Sequence, residues 1–557
     1  MSNDIEKEFN KIQDCFNEGK KYLIGKNKNV KLSVSSYETY YIKLNNLYNN
    51  LKNKLKENEI ESLNKTYINH LIKLSKIYLL IPYFFKSKIC CEKVLEIDKN
   101  NIEILPIYIK CLHHFKEYSL ITNILNNITK DDDIIKDLKI KNEERIKQLK
   151  GIYNLKNIYE NFKKTNNYNL DLAEYKSNKI SIIQDKIKGL ELVANENISK
   201  GEILIAEKAI VYAPLLDKNF NYQLFNKEWH GIIKDKLKDK ISYLKEDNPE
   251  IYEIYDGTNG NLSLEERKKN YSKNISFSEK QMTVFLTDSF CSKLFIYDEL
   301  SSVAGLFYYS SFISHSCDPN ISILGIGNFI FAIAGKNIQK NEELTTFYIE
   351  NDKEFVKRQG DLYLHYGFNC QCSLCQIEKA NFDRNFEVKN QISAYIKQLI
   401  DMSVNMFNYS VLEHSTKNQE VTLFIERNKD FIDNFEKGLL YYNLYYLWKD
   451  SKTNYNMLEK ALDCFEKESS LNFSNMIYYC LLKMYKMSYI FNNKLCKDIR
   501  EKMLKLFKEG FGNNQNEFAE TIVNDIIKLN TSENDPDLNL FREKKYSESL
   551  ESFGYYY

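Results

Sequence analysis

FISHSCDPN at Phe312–Asn320 and CQCSLC at Cys370–Cys375 are the two stretches on which the reading of this chain turns. CQCSLC packs three thiols into six residues, a density that suits tetrahedral Zn2+ held by thiolates with a fourth ligand from elsewhere. Cys317, in the distinctive turn His315–Asn320, is the natural fourth. A site of Cys317, Cys370, Cys372 and Cys375 has no open position, so its metal would be structural. The plainer alternative is a set of reduced core thiols, and the close spacing argues for metal instead. Cys90 and Cys91 lie within a helical pattern, where the core reading wins.

Working outward, the sequence around these stretches is β-rich. ISILGIGNFIFAIAGKNI (Ile321–Ile338) reads as a hairpin, two β-rich runs around a turn at Gly325–Asn328. ELTTFYI (Glu343–Ile349) reads as a strand. KGLELVANENI (Lys188–Ile198) and EILIAEKAIVYAP (Glu202–Pro214) are further β-rich runs, separated by Ser-Lys-Gly. Residues 216–285 look mostly helical and polar, like an insertion. Glycine maps the same division: of 18, three fall in residues 1–180, eleven in 185–375 and four in 376–557. Because glycine marks turns and close backbone approaches, a turn-rich middle between two long-helix flanks is expected.

The first flank repeats weakly. Tyr83–Asn101 is echoed by His114–Asp132 at an offset of 31, pairing Phe84 with Phe115, Ile89 with Leu120, Val94 with Leu125 and Ile97 with Ile128. Apolar residues at helical spacing resemble tetratricopeptide repeats, which bury their faces by stacking on neighbours; a plain helical bundle is the alternative. In the last flank, Lys437–Lys449, Glu459–Asn472 and Asn475–Phe491 read as amphipathic helices in hairpin succession. Tyrosines there are expected to fill helix seams.

Composition narrows the class of protein. At 557 residues and 66.0 kDa the chain has room for three or four compact units. With 43% hydrophobic and 28% charged residues it is a globular chain, neither disordered nor collagen-like. Lys and Arg (78) balance Asp and Glu (77), so bulk charge draws it to neither nucleic acid nor an anionic membrane. The opening MSNDIEKEFNKIQDCF lacks the apolar core of a secretory signal. The most apolar run, Ile77–Phe85, is nine residues, far below the roughly 20 that span a bilayer. A cytoplasmic or nuclear protein with reduced thiols is expected, as a monomer and without a membrane.

Taken in order, four pieces resemble a SET-domain methyltransferase. Lys188-Gly189-Leu190-Glu191-Leu192-Val193-Ala194, followed by Ser199–Glu202, resembles the opening Lys-Gly-x-Gly-(Leu/Val)-x-Ala of that fold. Phe312–Asn320 resembles its Asn-His-Ser-Cys-x-Pro-Asn core. Asn341–Tyr348 resembles Gly-Glu-Glu-Leu-x-x-x-Tyr, and Arg358 through Tyr366-Gly367-Phe368-Asn369-Cys370 to Cys375 resembles the zinc-binding post-SET tail. The resemblance covers about residues 180–378. Within the superfamily the chain is most similar to the SET-and-MYND group. No cysteine falls between Cys111 and Cys291, however, so residues 216–285 cannot form a MYND finger, and the chain resembles MYND-less relatives with tetratricopeptide-like flanks.

The resemblance implies an α+β multidomain chain: a helical, tetratricopeptide-like region at 1–179, a β-rich SET domain with post-SET zinc tail at 180–378, and a second tetratricopeptide-like helical region at 379–557. It implies S-adenosylmethionine bound near Lys188, Gly189, Leu190, Asp288, Ser314, His315 and Tyr348, with Phe368 stacked on adenine. Tyr348 would be catalytic and Tyr366 would line the lysine channel. A threaded crossing would bring His315–Asn320 beside Glu343–Tyr348. Three positions depart from the family: Ser314 for the usual asparagine, Glu191 for the second glycine, and Asp288 near a common asparagine. Two functions follow. One is a protein-lysine methyltransferase whose helical flanks select a protein substrate; the other is an adaptor in which a decayed SET core supports peptide-binding flanks. No direct nucleic-acid partner is expected from either.

Overall fold

The computed structural model describes residues 2–24, 29–128, 133–185, 189–214, 265–266, 289–292, 303–349, 354–405, 408–447, 451–467, 475–491 and 493–531. Lys188, Asp288 and all of the expected insertion at 216–285 except Glu265 and Glu266 lie outside them.

The described residues up to Gln148 fold as helices that pack one on the next. Their starts are written locally. The Asn29 side chain accepts the Leu32 N–H at 3.0 Å, capping the helix Val30–Lys52. Pro106 lies in the first turn of Leu105–His114, where its missing N–H removes no helical bond. Tyrosines fill seams here too: Tyr37, Tyr40 and Tyr78 are fully buried, the Tyr48 and Tyr67 rings stack at 3.9 Å, and in the last flank, where this was expected, Tyr445 and Tyr478 are buried. Cys90 and Cys91 are buried in the same core. Phe84 opens the helix Phe84–Ile97, whereas Phe115, its counterpart at the 31-residue offset, is the C-cap of Leu105–His114 and precedes the helix Tyr118–Asn127.

The middle of the chain supplies eleven short strands among the described residues. β1 (Tyr175–Lys176), β4 (Ile203–Lys208), β10 (Phe329–Ala334) and β9 (Ile321–Ile326) form one antiparallel sheet in that order. β2 (Ile180–Asp185) pairs with β3 (Gly189–Ala194), and β7 (Val303–Leu306) lies between β5 (Val211–Pro214) and β6 (Ser289–Ser292). β10 explains its own sequence. All six residues of FIFAIA are buried, because both faces of the strand are covered. Phe329, Phe331 and Ile333 enter the core shared with the C-terminal helices, whereas Ala332 and Ala334 pack with Ile180, Leu192 and Ile313. The hairpin turn is tighter than expected: Ile326 pairs with Phe329, leaving Gly327 (φ 54°) and Asn328 as the loop.

Two strands differ from expectation. Glu202–Pro214 breaks at Ala209 and Ile210 into β4 and β5, which belong to different sheets. Of Glu343–Ile349, only β11 (Thr345–Thr346) is regular, because its partner β8 (Ser314–His315) is itself two residues long.

Two of the C-terminal helices, Val411–Arg427 and Asn434–Tyr445, begin at capping boxes, Ser410 with Glu413 and Asp433 with Glu436, which satisfy helix-end N–H groups reciprocally. Asn475–Phe491 is a helix over its whole expected length. The helix Leu155–Thr165 packs with this region: Tyr159 meets Phe518 edge-on at 5.9 Å, Lys163 pairs with Asp525 at 2.5 Å, and Gln515 donates to the Tyr153 carbonyl at 3.1 Å.

Candidate functional site

The site begins with a crossing of two segments. β8 and β11 run parallel, with Ser314 opposite Thr345 and His315 opposite Thr346. Ser314 N–H donates to the Leu344 carbonyl at 3.2 Å and Ser316 N–H to that of Thr346 at 3.1 Å. β3 braces the far side, since Leu344 N–H donates to Leu192 at 2.8 Å. Asn320 locks the crossing. Its amide donates at 2.8 Å to both Glu342 Oε1 and the Glu343 carbonyl, and its Oδ1 accepts the Thr345 N–H at 2.8 Å. A buried amide so fully bonded is at no desolvation cost and holds two segments in one register.

Tyr348 follows directly from β11. Its N–H donates to His315 Nδ1 at 3.1 Å and its hydroxyl donates to the Ile313 carbonyl at 2.8 Å. Tyr366 closes the ring of contacts by donating from its hydroxyl to the Tyr348 carbonyl at 3.1 Å. The rings of His315, Tyr348, Tyr366 and Phe368 form a cup: Tyr348 lies 5.4 Å from His315 and 5.1 Å from Tyr366, and Phe368 lies 5.9 Å from His315 and 6.4 Å from Tyr366. Tyr366 keeps 37% of its surface exposed, yet enough protein surrounds its hydroxyl for burial to push the phenol upward. Of the other expected cofactor residues, Ser314 adjoins His315 on β8. Gly189 (φ 86°) opens β3, and Leu190 packs with the core that holds Phe312 and Ile313.

The four cysteines meet on the other side of His315. The Sγ atoms of Cys317, Cys370, Cys372 and Cys375 all lie within 4.8 Å of one another. Donors are aimed at them, as thiolate ligands require. Gln359 Nε2 lies 3.1 Å from Cys375 Sγ and His315 Nε2 lies 3.4 Å from Cys317 Sγ. Since His315 Nδ1 accepts from Tyr348, the imidazole proton belongs on Nε2, facing sulfur. Without a metal the four thiols share their protons: hydrogen bonding within the cluster, from Cys317 first, holds Cys370 and Cys372 below their ordinary range, while Cys370 raises Cys317 and Cys317 raises Cys375. Arg358, buried at 1% exposure and paired with Glu378, places a cation next to Cys317 and Cys375. This donor set fits a metal ion held by thiolates.

Gln359 is the functional residue that sequence reasoning passed over. Besides reaching Cys375, its Oε1 accepts the Cys370 N–H at 2.9 Å, so it shapes the ligand loop from both ends. The only sequence signal was its place one residue after Arg358.

Comparison with known proteins agrees with this geometry. Residues 189–349 match the family model of the SET domain. A SET domain-containing protein of Acanthamoeba polyphaga mimivirus is 25% identical over 252 residues, which is 42% of this chain and 94% of the relative. A histone-lysine N-methyltransferase of Yarrowia lipolytica is 25% identical over 162 residues, 27% of this chain and 37% of the relative. A SET and MYND domain-containing protein of Dictyostelium discoideum is 38% identical over 72 residues, 13% of this chain and 21% of the relative. The chain therefore carries a SET domain, set between helical N- and C-terminal regions. It spans well under half the length of the two relatives from Yarrowia and Dictyostelium.

Proposed function

We propose that this chain is an S-adenosylmethionine-dependent protein-lysine N-methyltransferase, with Tyr348 as its catalytic tyrosine. The observation that carries the reading is the aromatic cup on the β8–β11 crossing, with the Tyr348 hydroxyl turned to a backbone carbonyl. Bound there, S-adenosylmethionine supplies an electrophilic methyl group on a sulfonium. Phe368 offers the aromatic face for adenine, worth about 0.5–1.5 kcal/mol beyond buried area. The chain's part is positioning more than covalent chemistry. Tyr348 and Tyr366 would line the lysine channel, and the Ile313 and Tyr348 carbonyls, which accept the two tyrosine hydroxyls, would add partial negative charge near a cation in the cup. Desolvation disfavours an ammonium, which helps the incoming lysine amine arrive neutral and nucleophilic. The methyl group would pass from sulfonium to the lysine nitrogen with the electron pair of the S–C bond staying on sulfur, and the methylammonium so formed would give up its proton to solvent.

We assign the cysteine site to structural Zn2+, held by Cys317, Cys370, Cys372 and Cys375. It would tie the tail that carries Tyr366 and Phe368 to the turn that carries His315. The substrate is a protein lysine, in the cytoplasm or nucleus, with the helical flanks as the surfaces that select it. The adaptor reading draws on Ser314, which is shorter than the family's asparagine, and on Glu191, a carboxylate at 8% exposure on β3.

The test is transfer of labelled methyl from S-adenosylmethionine to core histones and to a pool of lysine-containing peptides, for the zinc-loaded chain and for Tyr348→Phe. Label on lysine that the variant loses is the expected result. No transfer to any acceptor, with Tyr348→Phe indistinguishable from the parent, would favour the adaptor.

A further inference from the structure

β4 carries Glu207 into the middle of the main sheet, opposite Ile330 of β10. The residue is 3% exposed, and its side chain turns toward the short 3-10 turn Tyr309–Phe312. One carboxylate oxygen accepts the Tyr309 N–H at 2.7 Å. The other accepts the Ser310 N–H and the Ser310 hydroxyl, each at 3.1 Å. Burying a carboxylate is expensive unless it is hydrogen-bonded throughout, and an apolar side chain would fill this place at less cost. Burial and the nearby Glu174 push the Glu207 carboxyl up to about 8, against the pull of its three donors.

What the carboxylate holds is next to the site. Ile313 N–H donates back to the Ser310 carbonyl at 3.1 Å, and the Ile313 carbonyl accepts the Tyr348 hydroxyl at 2.8 Å. Phe312 and Ile313 are both buried, and the peptide unit of the Ile313 carbonyl is held from one side by the Ser314 N–H bonded to Leu344 and from the other by the turn that precedes it. We infer that Glu207 is a positioning residue for the transfer reaction: by pinning the Tyr309–Phe312 turn it fixes the Ile313 carbonyl and thereby the direction of the Tyr348 hydroxyl. The consequence for turnover rests on the methyltransferase reading; the coupling between the two side chains does not.

The experiment therefore reads Tyr348 itself. With 3-fluorotyrosine placed at position 348 alone in the full zinc-loaded chain, the fluorine resonance reports the setting of that hydroxyl. Glu207→Gln keeps the shape but turns an NH2 toward the donors of Ser310. It is expected to displace the resonance or split it in two, with donor affinity unchanged. Glu413→Gln, which removes a carboxylate from a capping box on a distant helix, is expected to leave it in place. A folded Glu207→Gln protein with an unmoved single resonance overturns the inference, even if its melting temperature falls. Should that variant not fold, Ser310→Ala deletes one of the three bonds and keeps the carboxylate. A displaced resonance there supports the inference, and an unmoved one overturns it. Failure of the methyltransferase reading shows separately, as the absence of methyl transfer from the parent chain to any acceptor.

Discussion

Removing the hydroxyl of Tyr348 deletes one oxygen and one hydrogen bond, to Ile313, while the Tyr348 backbone stays tied to His315 and Tyr366. Tyr348→Phe is accordingly expected to fold and to lower methyl transfer about 100-fold or more, the scale seen when one preorganised polar contact to a transition state is lost. A melting curve beside the transfer assay separates the two effects. Among 41 tyrosines, composition could not single this one out; its distance from Glu343-Leu344 in the motif did. Histidines make a second residue-scale case. Burial, reinforced by Lys73, holds His70 down to about 4, and its Nδ1 lies 2.6 Å from the Tyr40 hydroxyl. The unfolded chain then binds a proton that the native chain refuses. Stability contributed by His70 is present above about 6.5 and is lost as pH falls toward 4. Glu207, with its carboxyl raised, acts in the opposite direction, so the clean observable is the difference between parent and His70→Gln. Their melting temperatures should diverge least in acid and most near neutrality; a pH-independent difference would contradict the shift.

At the scale of elements, the crossing of β8 and β11 was legible only through the resemblance carried by Phe312–Asn320 and Asn341–Tyr348, and the structure shows what particular residues do in it. Asn320, in the Asp-Pro-Asn of the turn, is one: it satisfies Glu342, Glu343 and Thr345 at once. Asn320→Ala would leave the Thr345 N–H without its acceptor, at about 1–3 kcal/mol, and is expected to lower the melting temperature and donor binding together. Gln359 was not legible, because a glutamine near the start of a helix reads as a solvated position. Its use appears only when the helix Phe355–Tyr366 delivers it to Cys370 and Cys375. Gln359→Ala should retain the metal less tightly, read as faster zinc release to a chromophoric chelator, whereas Cys375→Ser should lower zinc content outright. Equal release rates for Gln359→Ala and the parent would mean that the contact to sulfur is incidental. The strand expected over Glu343–Ile349 shrank to two residues for a related reason. Its residues hydrogen-bond to side chains and to a short partner, and sequence alone does not show the partner's length.

At the scale of the molecule, the helical flanks are not independent of the sheet or of each other. Leu155, Tyr159 and Phe162 share one core with Phe329 and Phe331 of β10 and with the C-terminal helices, whereas residues from Ile5 to Leu138 form another. The glycine map suggested three regions but could not show this closure, since it depends on contacts between residues some 360 positions apart, such as Lys163 with Asp525. Gly201 and Gly512 meet where the sheet touches the last helices. Both have positive φ, and a Cβ on Gly201 would sit 2.6 Å from the Gly512 Cα. Only glycine permits that approach. Gly201→Ala combines backbone strain with a backbone clash and is expected to cost about 1–3 kcal/mol, with the loss appearing in C-terminal helix protection by hydrogen exchange. Unchanged protection there would show that the contact does not couple sheet to helices.

The most direct test of the whole account is calorimetric titration of S-adenosylmethionine into the zinc-loaded chain, beside Phe368→Ala. Saturable binding that weakens about tenfold or more when the aromatic face is removed is the result expected from the cup of His315, Tyr348, Tyr366 and Phe368. No binding at millimolar donor, or binding that is indifferent to Phe368, would contradict it.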